Sequence, residues 1–414
     1  MKKSNRKGFT IVELVIVIAV IAILAAVLIP TFSNLIKKAN ESSDIQAVRQ
    51  MNTILAAEGA VEKNNIFDVF DALHESNLDA KDYKPLVAGT YFFWDDKADC
   101  IVYTDADFNV IFPKDYDKAN KGNWFSLTQT IEAVKPTDDN YADGISVATG
   151  AELLYVVNQI NEGEVENATI VLAGNIDMMG ANFNIETLNT ALTIKSATEG
   201  TPVVISNAIA VDTSYQGNGA TGHNGQYFAG LFGTVNNALT IQDVTFKNIH
   251  VKNTSGSGVG ILTGGVVGGS AKLTLNNVTI VNSSVIGHRN VGALVGNITG
   301  KLNITGKVDL QNVDVMTVGG RSGLLVGYAN NPSSQLGTLK TATILVDADC
   351  SYSVYKCDQN PEYQGGEGSF SSTYYNGTEW ITYSSPLYFI KNSLCAASGN
   401  ATSNSYFPTI SGWN

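Results

Sequence analysis

Residues 9–29 read FTIVELVIVIAVIAILAAVLI, and they decide the first element of the fold. Over these 21 residues the only charged side chain is that of Glu13. A helix rises about 1.5 Å per residue, so a helix of this length spans about 31 Å, the thickness of the hydrocarbon core of a bilayer. The stretch therefore predicts a membrane-spanning helix near the N-terminal end of the chain.

The residues that flank this helix predict its orientation. Residues 1–8 carry four basic side chains, so the positive-inside rule keeps them in the cytoplasm and exports the chain beyond residue 29. A signal peptide has a shorter apolar region and ends at a small-x-small site, whereas Pro30, Thr31 and Phe32 come next here. A plain anchor does not explain Glu13, because a carboxylate in the bilayer costs roughly 2.5–3.5 kcal/mol.

The junction at residues 7–14, KGFTIVEL, resembles the leader junction of type IV pilins and of type II secretion pseudopilins. The resemblance implies that a prepilin peptidase cleaves after Gly8 and that the new terminal residue, Phe9, is N-methylated. It also implies that the Glu13 carboxylate serves assembly by neutralising the Phe9 amine of a neighbouring subunit in the filament core. Pro30 matches the helix-bending proline of many pilins, and a proline inside a helix removes one hydrogen bond.

The helix is predicted to continue beyond the membrane to about residue 62. Apolar residues recur at three- and four-residue spacing and form a stripe that would pack on a globular head. This stripe consists of Ile45, Val48, Met51 and Leu55, and the charged residues Lys37, Lys38, Glu41, Asp44 and Arg49 lie off it. One helix of about 50 residues and about 80 Å is therefore expected, with its second half under the head.

Residues 30–113 are predicted to comprise this second half and a small pilin-like head. A short helix is expected near residues 67–76, followed by three β-branched and aromatic runs that predict a small antiparallel sheet ending near residue 113. Acidic residues in the intervening loops could offer oxygen ligands to calcium, although aspartate is also common in hairpin turns. These calcium candidates are Asp95, Asp96, Asp99, Asp105 and Asp107.

A polar segment, residues 114–144, is predicted as a linker to a glycine-rich region at residues 145–350. The region opens with a capped amphipathic helix near residues 149–162 and then repeats an alternating apolar and polar pattern, typical of strands with one buried face. Three repeats cover residues 239–251, 273–285 and 302–315, and the short glycine phrases before them end at Gly233, Gly268 and Gly296, with a fourth at Gly327.

A single repeat cannot bury its apolar face alone, so stacked repeats are needed to form a continuous core. The predicted fold class is an α+β pilin-like N-terminal part, with a long helix and a small antiparallel sheet, followed by an all-β parallel β-helix or solenoid. A β-sandwich of glycine-rich hairpins is the alternative. The glycine phrases resemble the GLUG repeats of bacterial surface proteins. Residues 351–414, rich in Tyr, Ser and Asn, are predicted to cap the solenoid.

The four cysteines fit an exported chain more readily than a metal site. Their spacing does not form a CxxC or Cys/His zinc pattern. We expect one disulfide among Cys350, Cys357 and Cys395, and we expect Cys100, which is remote in sequence, to be a free thiol of the core.

Charge and motif content exclude several function classes. The net charge of −12 provides no basic patch that could release counterions from phosphate, so nucleic acid is not an expected partner. The sequence has no nucleophile-elbow motif, no P-loop and no GxGxxG motif before a predicted helix. The acidic residues of the repeats, Asp243, Asp309 and Asp314, are isolated in sequence, so the chain is expected to be neither an enzyme nor a binder of cofactors.

The few basic residues of the repeats form one weak ligand-binding candidate. His288, Arg289 and Arg321 each follow a strand and precede a glycine phrase, which would place them on one corner of the solenoid, one turn apart. They are either a small binding site for an anion or uronate, or ordinary solvated corner residues.

The expected function is that of a pilin-like, minor subunit that displays a β-solenoid head for adhesion or ligand binding. A type II secretion pseudopilin and a filament-displayed polysaccharide-active enzyme are the alternatives. The expected partners are a prepilin peptidase, other pilin subunits, the membrane before assembly, and a surface carbohydrate or host ligand. The precursor is expected in the cytoplasmic membrane with its N-terminus inside, and the assembled subunit in an extracellular filament.

Overall fold

The computed structural model shows a long helix, a small α+β head and a parallel β-solenoid, in that order along the chain. The described residues are 11–57, 65–78, 80–137, 144–165, 167–211, 228–253, 258–287, 289–317, 322–337 and 339–354, with short strands at 372–375, 380–383 and 395–397. The predicted fold class, a pilin-like α+β part followed by parallel strands in a solenoid, is confirmed.

The first element, α1 (Ile11–Ala57), is one continuous helix of 47 residues. Within the described residues it is long and apolar enough to cross a membrane. Its second half buries Asp44, Val48, Met51 and Leu55, so the predicted stripe is confirmed and gains a carboxylate that the sequence pattern places outside it.

The head packs a second helix and a four-stranded antiparallel sheet against this stripe. Helix α2 (Ile66–Glu75) begins at a capping box, in which the Asn65 side chain accepts from Phe67 N–H and the Asp68 carboxylate accepts from Asn65 N–H. The strands are β1 (Tyr91–Asp95), β2 (Cys100–Thr104), β3 (Val110–Phe112) and β4 (Trp124–Ser126), in the order β3-β2-β1-β4, with short 3-10 helices at Ala80–Tyr83 and Lys118–Asn120.

Strand β4 lies inside the segment that the sequence predicts as a linker, so the sheet does not end near residue 113. It pairs with β1 in the register Phe93 to Ser126, and the Trp124 ring stacks on Phe93 with 5.2 Å between centroids. Two aromatic residues and one serine are too short a run to be recognised as a strand, and it is the open edge of β1 that gives this segment its partner.

The solenoid contains parallel ladders joined by short turns. Its helices are α3 (Gly150–Asn161) and α4 (Pro332–Gln335), with a 3-10 turn at Leu339–Thr341. Its strands are β5 (Ile145–Val147), β6 (Ala168–Leu172), β7 (Ile176–Asp177), β8 (Ile185–Leu188), β9 (Leu192–Ser196), β10 (Val203–Ser206), β11 (Ile209–Ala210), β12 (Phe228–Ala229), β13 (Phe232–Val235), β14 (Ala238–Lys247), β15 (His250–Asn253), β16 (Gly258–Gly260), β17 (Thr263–Val266), β18 (Lys272–Gly287), β19 (Val291–Gly292), β20 (Val295–Ile298), β21 (Lys301–Ile304), β22 (Lys307–Thr317), β23 (Val326–Ala329), β24 (Thr343–Val346), β25 (Ser351–Val354) and β28 (Cys395–Ala397). An antiparallel pair, β26 (Ser372–Tyr375) and β27 (Trp380–Tyr383), lies between β25 and β28 in sequence.

The three sequence repeats stack in register, which confirms them as successive turns. Leu239 pairs with Leu273, which pairs with Leu302, and the same order relates Phe246, Ile280 and Leu310, which are likewise buried. Identical or similar side chains therefore form continuous apolar columns along the axis, and the single core that results extends from β5 to β25.

The glycine phrases also stack, but the second one is four residues away from the predicted position. Gly264, and not Gly268, aligns with Gly233, Gly296 and Gly327, which makes the spacing a regular 31, 32 and 31 residues. A side chain at Gly296 would collide with the backbone of the previous turn, so this position requires glycine. The run GILTGGVVGG holds two adjacent matches to the phrase, and the pairing of Phe232 with Thr263 selects the first.

Helix α3 covers the N-terminal end of the solenoid, as predicted. Thr149 and Glu152 form its capping box, and its buried face packs on the solenoid core through Leu153, Val156 and Val157. The side chain of Asn161 then accepts from Glu186 N–H and donates to the Asn184 carbonyl. The helix thereby covers apolar side chains of the first turn that would otherwise face water.

Candidate functional site: the assembly stem and its head

The first half of α1 presents apolar side chains to the surroundings on every face. Ile11 is 81% exposed, Ile23 is 67% exposed and Ile36 is 60% exposed. A helix that is apolar all round needs an apolar environment, which a bilayer or a bundle of identical helices provides. This segment, residues 11–36, is called the stem below.

Of the predicted processing and assembly residues, Glu13 lies in the stem. Glu13 is in the first turn of α1, and Gly8 and Phe9 lie outside the described residues. The helix passes through Pro30 without ending, and the Thr31 hydroxyl donates to the Val27 carbonyl at 2.9 Å. Pro30 has no N–H group to donate to the carbonyl of Ala26. The Thr31 hydroxyl bonds the next carbonyl along the helix, that of Val27.

Asp44 fixes α1 to the head shortly after the end of the stem. Its buried carboxylate accepts from the backbone N–H groups of Leu86 and Val87 at 2.8 and 3.1 Å, and from the Tyr103 hydroxyl at 3.2 Å. The prediction that Asp44 lies off the buried stripe is therefore wrong, because a loop far away in sequence brings donors to it. Burial beside this carboxylate raises the pKa of Tyr103 to about 12.

A second side-chain contact holds α1 to the sheet further along the helix. The Asn52 amide both donates to the Ile101 carbonyl and accepts from Ile101 N–H, at 2.9 and 2.7 Å. Arg49 lies over the Phe112 ring at 5.0 Å, a cation–π contact at the free edge of the sheet. Together with Asp44, these contacts fix the direction in which the head extends from the stem.

The head and the solenoid share an interface with apolar, hydrogen-bonded and charged contacts. Ile209 and Val211 of the solenoid lie in the head's own core cluster, and Ser126 N–H donates to the Met179 carbonyl at 2.8 Å. Lys252 Nζ lies 3.2 Å from Asp71 Oδ2, with the two side chains 2% and 14% exposed. The solenoid is thus held against the head rather than suspended from it by a linker.

His250 lies at the same interface and is uncharged. Its Nε2 bonds Asn248 Oδ1 at 3.1 Å and its Nδ1 bonds Ser284 Oγ at 2.8 Å, while its ring lies 5.7 Å from that of Phe125. Since an amide oxygen only accepts, Nε2 carries the proton and the serine hydroxyl donates to Nδ1. Complete burial lowers the pKa of His250 to about 4.

The five calcium candidates serve largely as hydrogen-bond acceptors within turns. Asp95 is buried, and although burial raises its pKa, hydrogen bonds from Tyr116, Ala98, Gly122 and Trp124 hold that pKa below its usual value. Asp96 accepts from Asn123, Asp105 accepts from Asn109 and from Asp107 N–H, and Asp99 accepts from the Trp94 indole. Over the part of the chain that the structure describes, no group of three acidic, histidine or cysteine residues is placed to hold a metal ion.

The remaining predicted site residues are the basic residues of the repeats and the cysteines. Arg289 is exposed, and His288 and Arg321 lie outside the described residues. Cys100 and Cys350 are free thiols, so the predicted disulfide does not involve Cys350. Burial raises the pKa of Cys100 to about 11 and that of Cys350 to about 12, which keeps both thiols protonated.

Comparison with known proteins identifies the stem. The family described as the prokaryotic N-terminal methylation motif matches residues 3–29. The N-terminal segment of this chain therefore carries this motif and is similar to type IV pilins. The type IV major fimbrial protein FimA of Dichelobacter nodosus is 45% identical over 53 residues, and the type IV wide pilus major component PilA4 of Thermus thermophilus is 63% identical over 38 residues.

The likeness to these pilins covers only a small part of each chain. The FimA match covers 13% of this chain and 34% of FimA, and the PilA4 match covers 9% and 29%, so this chain matches about a third of each relative's length. No solved structure matches the chain significantly. The similarity therefore concerns a pilin-like stem, and the head has to be interpreted from its own geometry.

Proposed function

We propose that this chain is a minor, decorating subunit of a type IV pilus that displays its β-solenoid head for adhesion. The observation that carries the proposal is the division of α1 into an apolar, exposed stem and a half that is fixed to the head. The stem needs filament or membrane around it, whereas the solenoid is far larger than stem packing requires. The glycine phrases, which resemble GLUG repeats, fit the display of the head at a bacterial surface.

In this proposal the precursor is inserted with residues 1–8 in the cytoplasm and the head outside. A prepilin peptidase cleaves between Gly8 and Phe9, and Phe9 is N-methylated. The Glu13 carboxylate then pairs with the Phe9 amine of the neighbouring subunit, which sets the axial register as the stem leaves the bilayer. A pair of opposite charges in an apolar filament core is strongly favoured over two separated charges.

The head is proposed to bind rather than to catalyse. The three acidic residues of the repeats all have structural partners: Asp243 accepts from Gly200 N–H and from Asn277, Asp309 pairs with Lys307 at 3.1 Å, and Asp314 accepts from Ser351. Glycoside hydrolysis needs two carboxylates facing each other across a substrate, and each of these three is already bonded to a neighbour within the solenoid. A type II secretion pseudopilin would share the stem, but the two matched relatives are named as major fimbrial and pilus components, which favours the pilus.

The assembly role of Glu13 is tested by comparing Glu13→Ala with Glu41→Ala, the same substitution further along α1. Both variants should accumulate in the membrane fraction, because the stem remains apolar in each. Only Glu41→Ala should appear in filaments sheared from the cells, as detected with an antibody against the head. Normal incorporation of Glu13→Ala would contradict the proposed pairing.

A further inference from the structure

A polar cleft of about 350 Å³ lies where the head meets the solenoid. One wall comes from the head, through Asp68 near the start of α2, Asp96 after β1 and Asn123 before β4. The other wall comes from successive solenoid turns and includes Asn282 and Asp314. Ligand sites favour such junctions, and their volumes typically run from about 300 to 1,000 Å³.

The described lining of the cleft consists of carboxylates, amides and hydroxyls, without a lysine or an arginine. Three carboxylates line it, and its histidine, His250, is buried and hydrogen-bonded through both ring nitrogens. The thioether side chain of Met316 adds an apolar surface. A ligand for these walls must offer many hydroxyl or amide donors and carry no negative charge, because anions would be repelled.

The solenoid wall is preformed by a ladder of asparagines, one from each turn. Asn207, Asn248, Asn282 and Asn312 all have left-handed backbones, with φ between 47° and 60°. Asn248 donates to Asn207 at 2.8 Å, Asn312 donates to Asn282 at 3.1 Å, and Asp347 accepts from Asn312 N–H. A wall fixed in this way loses little conformational entropy when a ligand binds.

The cleft retains hydrogen-bonding capacity after these internal bonds are counted. Ser351 donates to one oxygen of Asp314, and Asn123 donates to both oxygens of Asp96. A carboxylate offers about four acceptor sites, so both acids can accept further bonds from a ligand. The Asn282 and Asn312 side chains are exposed at the rim, and Asp314 and Asp96 are half-buried, so a ligand can reach them from solution.

We infer that this cleft binds a saccharide without negative charge, such as a neutral or N-acetylated hexose unit. Sugar hydroxyls supply paired donors and acceptors at the spacing of amide and carboxylate side chains, and the charge of the cleft selects against uronates and other acidic sugars. The inference rests on the proposed display of the head and names the class of surface ligand that the head contacts.

The test uses the full chain in detergent micelles on an array of neutral, N-acetylated, amino and uronic-acid glycans, followed by titration of the best ligand. Asp314→Asn keeps the shape of the side chain but removes its charge. The matched control is Asp309→Asn, the same change on strand β22 at a residue outside the cleft. We expect Asp314→Asn to weaken binding at least about tenfold, the typical effect of losing a charge-assisted hydrogen bond, and Asp309→Asn to bind normally.

A second variant, Asn123→Leu, blocks the opposite wall and should also abolish binding. The inference is overturned if no neutral or N-acetylated glycan binds, if uronates bind best, or if Asp309→Asn weakens binding as much as Asp314→Asn. Both cleft variants should enter filaments at wild-type levels, because the stem is unchanged. Loss of glycan binding with normal filament incorporation therefore tests the proposed cleft. Failure of the Glu13 experiment would instead contradict the proposed role in assembly.

Discussion

Loss of either partner of the buried ion pair between Lys252 and Asp71 should destabilise the head–solenoid interface, and loss of Asp71 should cost more than loss of Lys252. Asp71→Asn leaves the Lys252 ammonium, which is 2% exposed, beside a neutral amide. Removal of one partner of a buried pair costs about 3–5 kcal/mol, and we expect about 3 kcal/mol because Asp71 is 14% exposed. Lys252→Met retains the apolar packing of the lysine side chain and leaves a carboxylate that water reaches more easily, so we expect about 1 kcal/mol.

The assay is urea unfolding of the full chain in detergent micelles, followed by tryptophan fluorescence and circular dichroism. The control is the pair Lys307–Asp309, which has a similar distance of 3.1 Å but a lysine that is 46% exposed. Lys307→Met should change the free energy of unfolding by no more than about 1 kcal/mol. Equal losses in Asp71→Asn and Lys252→Met, or a loss in Asp71→Asn below about 0.5 kcal/mol, would refute the account of a buried pair at this interface.

Two further predictions concern the solenoid. Burial lowers the pKa of His250 to about 4, so between about pH 4 and 6.5 the unfolded chain binds one more proton than the folded chain. The free energy of unfolding should therefore fall by up to about 3 kcal/mol as the pH drops through that range. Urea titrations of His250→Gln should show a smaller fall. Gly296→Ala should lower the free energy of unfolding by at least about 2 kcal/mol, because a methyl group there meets the backbone of Val259. Gly269 has open space around it, so Gly269→Ala should leave the free energy of unfolding unchanged in the same measurement.

The sequence predicts those parts of the fold whose signal is periodic and local. The stem stands out because 21 residues with a single charge are long enough to cross a bilayer, and the buried stripe of α1 follows from helical spacing. The stacked strands around Leu239, Leu273 and Leu302 follow from alternation and repetition together. Each of these signals lies within a short segment and requires no knowledge of distant contacts.

The parts that escape prediction depend on residues far apart in sequence. Asp44 carries a charge, so the sequence pattern places it off the buried stripe. Its hydrogen-bond donors come from the loop at Leu86 and Val87, which is far away in sequence. Strand β4 is too short to be recognised without the edge of β1, and the register of Gly264 depends on how β17 pairs with the strands of the neighbouring turns. Local patterns hold no information about which of several possible partners will be present.

The candidate sites also differ in whether they depend on local sequence or on contacts between distant segments. A role for Glu13 could be proposed from sequence because it depends on one unbroken motif at the start of the stem. The cleft could not, because Asp96 and Asn123 of the head meet Asn282 and Asp314 of the solenoid only through the docking of the two parts. The basic candidate at Arg289 was visible in sequence as a local cluster, yet the polar residues that the structure brings together are acidic and neutral.

The most direct test of the filament-subunit account is mass spectrometry of this chain in filaments sheared from the native cell surface. The account predicts that the chain is present and that its N-terminal peptide begins at an N-methylated Phe9. Absence of the chain from the filaments, or a filament-bound chain that still carries residues 1–8, would contradict it.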